Sequence, residues 1–402
     1  MLSPTQYFLC VALLTGAVCS TLFTESARGA DQYRVYVGTY TRGSDSKGIY
    51  QLLLDGKTGK LTHVDVTANV VNPSFLAIHP SQKYLYAVNE INDFPLDYVD
   101  HPRRQSGAVS AFSIDSDSGK LTFLNQLATD GGSPCHLVVD RTGTALLVAN
   151  YSNGRLCSFS LKKDGALDDC KSVIQHSGSS VNPQRQQSPH AHSINLDPDN
   201  KYAVAADLGI DKLLVYLFDP KKSVLASNPN GFQEIKMAPG AGPRHFAFHP
   251  SGKWGYVINE LNLTVTAMDY NQKTGELEII QNISTVPEGT KRKGNSTAQV
   301  LVHPSGKFLY GSNRGPNTIA MYRIDQKTGK LTSLGYQPTG GAIPRNFNID
   351  PSGKFLLAAN QDSNNVVVFR IDQETGLLKP TGHEIDVPKP VCIQFLPVTT
   401  TP

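Results

Sequence analysis

One phrase recurs along the chain roughly every fifty residues, and that period decides what the chain can fold into. HPSQKYLYAVNE begins at His79, DRTGTALLVANY at Asp140 and DPDNKYAVAADL at Asp197. HPSGKWGYVINE, HPSGKFLYGSNR and DPSGKFLLAANQ follow at His249, His303 and Asp350, so the starts lie 61, 57, 52, 54 and 47 residues apart. A partial copy, YRVYVGTY, opens at Tyr33 and sets Tyr36 in the place of Tyr86. A second phrase marks a turn late in each unit: LDGKTGKL at Leu54, IDSDSGKL at Ile114, LKKDGAL at Leu161, a degenerate FDPKKSVL at Phe218, MDYNQKTGEL at Met268, RIDQKTGKL at Arg323 and RIDQETGLL at Arg370. That makes seven units. Asp or Lys followed by Gly is turn chemistry, because Gly takes positive φ at no steric cost.

A third phrase precedes the first in six units: NPSFLAIHP, SPCHLVVD, HAHSINLDP, GPRHFAFHP, STAQVLVHP and IPRNFNIDP. Its seventh copy, KPVCIQFLP, is displaced to the carboxyl end at Lys389 to Pro397. A closed ring explains the displacement, with the last strand completing the unit that the first strands begin. Runs such as FLYGSN, VVVFRID and AVSAFSID have the β-branched and aromatic content of strands. The sequence therefore predicts an all-β, seven-bladed β-propeller with four-stranded blades, closed by pairing of its amino- and carboxyl-terminal strands. Its 402 residues, with 34 Gly and 25 Pro, then form one domain over 31–398 rather than two or three.

Residues 1–30 stand outside the repeat. Phe8 to Phe23 is apolar and uncharged, the length of a signal-peptide core, so the expectation is export to the periplasm or beyond, with the cytoplasm as the alternative. No later segment approaches the roughly 18 uninterrupted apolar residues of a membrane span. The net charge of +3, from 37 basic and 34 acidic residues, removes nucleic acid as a default partner. Beyond Cys10 and Cys19 in the leader, Cys135, Cys157, Cys170 and Cys392 read as buried thiols, since no CxxC pair is present.

In a propeller the first strand of each blade lines the channel. Counting from the Pro of HP or DP, six positions earlier stand Ser74, Cys135, His192, Arg244, Ala298, Arg345 and Val391. A Pro usually comes just before, so these read as the first inward side chains of their strands. Ten positions after the same origin stand Glu90, Tyr151, Leu208, Glu260, Arg314 and Gln361, with Tyr40 from the first unit, and antiparallel pairing returns them to the same end. Asn recurs just before this set, at 89, 150, 259, 313 and 360, which suits a structural turn or an inter-blade bond. A site on a pseudo-symmetric ring should break the repeat, as His192, Arg244, His245, Glu260, Arg314 and Arg345 do. Arg forks recognise carboxylate or phosphate, and a His beside them can serve as a general base. His190, two residues before His192, shares its face on a regular strand and is a further candidate. His79, His249 and His303 read as caps on the HP turn, and His176 lies in an unpatterned stretch.

No GxSxG, HExxH, GxGxxG or GxxxxGK[ST] occurs, so neither a serine elbow nor zinc nor a nucleotide cofactor is expected. A calcium centre would need carboxylates on the axis, where Arg residues dominate. No cofactor is implied.

GPRHFAFHPSGKWGYVINEL, with PHAHSINLDPDNKY before it and GGAIPRNFNIDPSGKFLLAANQDSNNVVVF after it, resembles the seven-bladed lactonase family. That family contains the bacterial propeller-type 6-phosphogluconolactonases and is similar to the fungal carboxy-muconate lactonizing enzyme. The likeness runs from about Tyr33 to Pro397. It implies cofactor-free opening of a sugar or sugar-phosphate lactone, with a small, anionic lactone as partner. By motif it assigns the catalytic set to His192, Arg244 and Glu260, and leaves the second Arg open between Arg314 and Arg345. His192 would activate water, Arg244 would stabilise the oxyanion, and Arg345 or Arg314 would hold the substrate's anionic group, with His245 and His190 nearby. An export leader departs from a cytosolic sugar-phosphate enzyme and leaves open an unphosphorylated sugar lactone, an aromatic-acid lactone or a loss of catalysis. The competing readings are an exported, non-enzymatic propeller that binds an anionic ligand or a protein, and a muconate-type cyclase.

Overall fold

Seven antiparallel sheets stand around one axis in the computed structural model, which describes residues 30, 32–95 and 106–398. The leader 1–29 lies outside the described residues. Blade 1 runs, from the axis outward, Pro390–Pro397, Gln32–Thr39, Gly48–Asp55 and Leu61–Asn69. Tyr33 pairs with Pro397 and Tyr36 with Gln394, so the two ends of the chain close the ring in one sheet as the displaced phrase predicts. Blades 2, 3, 5, 6 and 7 each have four strands in sequence order. Blade 4 departs from this plan: its outer edge is split into Val224–Ser227 and Glu234–Lys236, both paired with Lys212–Asp219. FDPKKSVL marks that irregular edge. Among the described residues the helical content is one turn, Leu208–Ile210.

The core is a series of dry seams between neighbouring blades. One seam packs Tyr36 of blade 1 with Leu85, Tyr86 and Val88 of blade 2. Another closes the ring with Phe355 and Leu357 of blade 7 against Tyr33 and Val35 of blade 1. Both recurring phrases pin these seams. The Tyr36 hydroxyl donates to the carbonyl of Gly119 in the next blade's turn at 2.7 Å, and Tyr86, Tyr256 and Tyr310 do the same to Gly165, Gly329 and Gly376 at 2.9 Å. Gly119 has φ +75, and a Cβ there would meet the Arg34 side chain at 2.3 Å. Each such buried bond contributes about 1 kcal/mol.

The HP histidines are more than caps. Nδ1 of His79, His249 and His303 meets the following Ser, while Nε2 lies 2.8 to 2.9 Å from the carbonyl of Gly143, Gly306 or Gly353 in the next blade. The recurrent Asn divides in two. Asn89, Asn313 and Asn360 donate to the preceding blade's outer end, at Val71, Thr285 and Thr339, whereas Asn150 and Asn259 bond within their own hairpins. No disulfide joins Cys135, Cys157, Cys170 and Cys392; three are buried, and Cys170 is exposed, contrary to its reading as a buried thiol.

Candidate active site

Five of the seven inner strands open with the same one-residue bulge, and these bulges build the site. In blade 5, Pro243 faces Asn259 and His245 faces Ile258, which leaves Arg244 without a partner. The same skip isolates Cys135, His192, Arg345 and Val391 in blades 3, 4, 7 and 1. A bulge inserts one residue and re-aims the side chains around it. Strict alternation therefore fails here, and two consecutive residues reach the axis. Arg244 Nη1 lies 3.2 Å from Nε2 of its neighbour His245, and His136, next to Cys135, stands 5.3 Å from the His245 ring. The second strand returns as expected: the Glu260 N–H donates to the Gly242 carbonyl at 2.7 Å, which sets Glu260 beside Arg244.

A cavity of about 10 Å³, room for one water, lies on the axis among Ser74, Glu90, Cys135, His192, Arg244 and Arg345. His192 is 4% exposed. Its Nδ1 is 3.6 Å from Cys135 Sγ, and Nε2 makes no hydrogen bond to any described residue. Burial first, then Arg244 and Arg345, holds its pKa well below the ordinary histidine value, so the ring is neutral. Burial also pushes the Cys135 thiol up, which keeps it protonated.

Glu260 is the hub of the charges. Its Oε2 accepts from Arg244 Nε at 3.0 Å and forms an ion pair with Arg314 Nη2 at 2.8 Å, and its Oε1 accepts from Arg185 Nη2 at 2.7 Å. Burial alone would raise its carboxyl, but Arg314, Arg244 and Arg185 hold it well below the usual range. Burial, with Arg314 and Arg345, pushes Arg244 down to about 9, which leaves it charged at neutral pH. Arg314 also donates through Nε and Nη2 to the Thr297 carbonyl. Arg345 differs: its guanidinium lies 5.2 Å from the Tyr40 ring centroid, with no hydrogen bond to a described residue. Glu90 Oε2 accepts from Tyr40 at 2.8 Å and Ser74 at 2.5 Å.

The unpatterned segment 176–190 supplies a residue that the repeat does not reveal. Asp207 replaces the recurrent Asn in blade 4, and one carboxylate holds both ends of that segment. Oδ2 meets His176 Nδ1 at 2.6 Å, and Oδ1 accepts from the His190 N–H at 2.7 Å. His176, patternless in sequence, is thus a buried anchor whose Nε2 lies 3.0 Å from the Tyr216 hydroxyl. The segment carries Arg185 to Glu260 and to the Tyr151 hydroxyl, the latter at 3.1 Å.

The structure brings His192, Arg244, His245, Glu260, Arg314 and Arg345 together. One expectation needs correction. His190 does not share a regular strand face with His192, because the bulge intervenes; its ring stacks on Tyr151 at 4.5 Å, while His192 meets Tyr151 edge-on at 5.5 Å. His245 has both nitrogens engaged, Nδ1 by Gln299 Oε1 and Nε2 beside Arg244, and it lines the axial cavity. Sequence reasoning also passed over His136, whose pKa is pushed to about 3 by burial and Arg244, and Gln299. Among the described residues no cluster of three His, Cys, Asp or Glu is arranged to hold a metal ion.

Known proteins resemble this chain over most of its length. The family model described as "Lactonase, 7-bladed beta-propeller" matches residues 34–395. The 6-phosphogluconolactonase of Bacillus subtilis is 38% identical over 365 residues, covering 91% of this chain and 99% of the relative. That of Formosa agariphila is 36% identical over 321 residues, covering 79% and 86%. The solved periplasmic gluconolactonase of Pseudomonas aeruginosa superposes with a TM-score of 0.83 at 31% identity, covering 92% of this chain and 100% of that one.

Proposed function

Because the chain belongs to the seven-bladed β-propeller lactonase family and is a lactonase, we propose that it opens gluconolactone-type sugar lactones, with or without a 6-phosphate, by histidine-activated attack of water. The observation that carries this reading is a buried neutral histidine with an unengaged Nε2, lining one cavity with two guanidinium groups. Water at His192 Nε2 attacks the lactone carbonyl carbon and gives its proton to the ring. The carbonyl electron pair moves onto oxygen, where Arg244 and Arg345 stabilise the charge. Collapse breaks the ring C–O bond, and His192 returns the proton to the departing oxygen, leaving the open hydroxy acid. Arg345 suits the second role better than Arg314, because Arg314 is committed to Glu260 and Thr297.

The test is a lactone panel, phosphorylated and not, assayed on the mature protein against spontaneous ring opening. Arg345→Ala is expected to lower kcat about 10²-fold or more, and Arg314→Ala by less. Turnover at the spontaneous rate on every lactone would end this reading, and equal losses in the two variants would end the assignment of Arg345.

The chain is, in the same proposal, exported. Residues 1–30 have the signal-peptide pattern, and the Pseudomonas relative is named a periplasmic protein. Amino-terminal sequencing of protein recovered from a periplasmic or culture fraction should find a start near residue 20 or 30; protein that keeps Met1 and stays in the cytosol would refute export.

A further inference from the structure

The axial cavity has room for one water but not for a sugar ring. A lactone placed for attack at His192 therefore keeps its ring in the mouth above, with its exocyclic substituent free to reach the rim. What stands at that rim is Arg185. Its side chain is 39% exposed, against 2% for Arg244 and 12% for Arg314.

Arg185 also differs in what holds it. Arg244 and Arg314 share Oε2 of Glu260, and each donates to a backbone carbonyl, Ala298 or Thr297. Arg185 alone takes Oε1, and its other side-chain partner is the Tyr151 hydroxyl. When it leaves, Glu260 keeps two buried guanidinium partners, so the exchange strands no buried charge. The main chain beneath it stays fixed. Its N–H donates to Asn182 Oδ1 at 3.1 Å, and the adjacent Gln186 is buried, donating to the Leu208 carbonyl at 2.9 Å. Asp207 secures both ends of the segment. A rigid base thus carries one releasable guanidinium, separated from His192 by the Tyr151 ring.

We propose that Arg185 is the specificity-determining residue for a phosphate monoester on the substrate, exchanging its bond to Glu260 Oε1 for a fork onto the phosphate carried on the exocyclic carbon beside the ring oxygen. The proposal rests on the lactonase reading for the placement of the ring. The chemistry favours phosphate over a neutral hydroxymethyl group at that position, because a guanidinium fork pairs with two phosphate oxygens at once.

Titration calorimetry tests it without turnover, using the stable open acids 6-phosphogluconate and gluconate as probes. Wild type should bind 6-phosphogluconate more tightly than gluconate by about tenfold or more, the worth of one charge-assisted fork. Arg185→Ala should abolish most of that ratio while leaving gluconate affinity within about twofold, and Arg185→Lys should restore part of it. Thermal melts of each variant separate a folding defect from a recognition defect. Three results would overturn the proposal: no phosphate preference in wild type, a ratio unchanged in Arg185→Ala, or equal weakening for both acids. A lactone panel without turnover, beside an intact phosphate preference that Arg185→Ala removes, would count against the lactonase reading and leave this assignment standing.

Discussion

Replacing His192 with glutamine lowers kcat/KM for lactone opening by about 10² to 10⁴, the range lost with a general base, while the melting temperature stays near wild type. Glutamine fills the same space and cannot carry the proton. The pH profile supplies the sharper signature. A base works only when neutral, and burial beside Arg244 and Arg345 keeps His192 neutral far into acid. The acid limb of wild-type kcat/KM should therefore fall well below the ordinary histidine midpoint of about 6.5. Rates should stay level as pH drops through that value. A limb centred at the ordinary midpoint, or a His192→Gln enzyme as fast as wild type, would remove the histidine from its proposed role.

The largest effect on stability belongs to Glu260. Glu260→Ala leaves Arg244 and Arg314 buried without a carboxylate, and breaking a buried pair from one side costs about 3 to 5 kcal/mol. Denaturant unfolding should show this as a lowered midpoint with an unchanged slope. Neutralising one arginine as well, in a Glu260→Gln and Arg314→Gln double variant, should recover part of the loss, since the two groups interact directly. Unfolding of Glu260→Ala at the wild-type denaturant concentration would show that water screens the cluster. Activity falls with it, because Arg244 then loses the acceptor at its Nε.

The ring could be read from sequence because pseudo-symmetry writes one message seven times. Even ring closure was visible, in the single phrase found out of place at Lys389 to Pro397. The same logic exposed His192, Arg244 and Arg345 as residues that depart from their equivalents. What stayed hidden has physical causes. His136 falls where alternation points it outward, and only the bulge turns it to the axis. His245 broke the repeat and lies beside Arg244; a broken repeat marks unusual surroundings and does not say whether a ligand or a neighbour fills them. Arg185 lies in an insertion with no repeat to compare it against. Its one visible trace was Asp207, a carboxylate where five blades carry Asn, whose meaning required the segment it fastens.

Closure by the last strand also orders events in time. Synthesis runs from the amino terminus, so Gln32–Thr39 waits for its inner partner until Pro390–Pro397 has been made. Until then the first blade shows an unpaired edge, the kind that invites pairing with another chain. The strand that ends the wait also brings Val391 to the wall of the reaction cavity. A polypeptide interrupted before Pro390–Pro397 therefore has neither a finished ring nor a finished site, and competence for chemistry waits on the emergence of that strand from the ribosome.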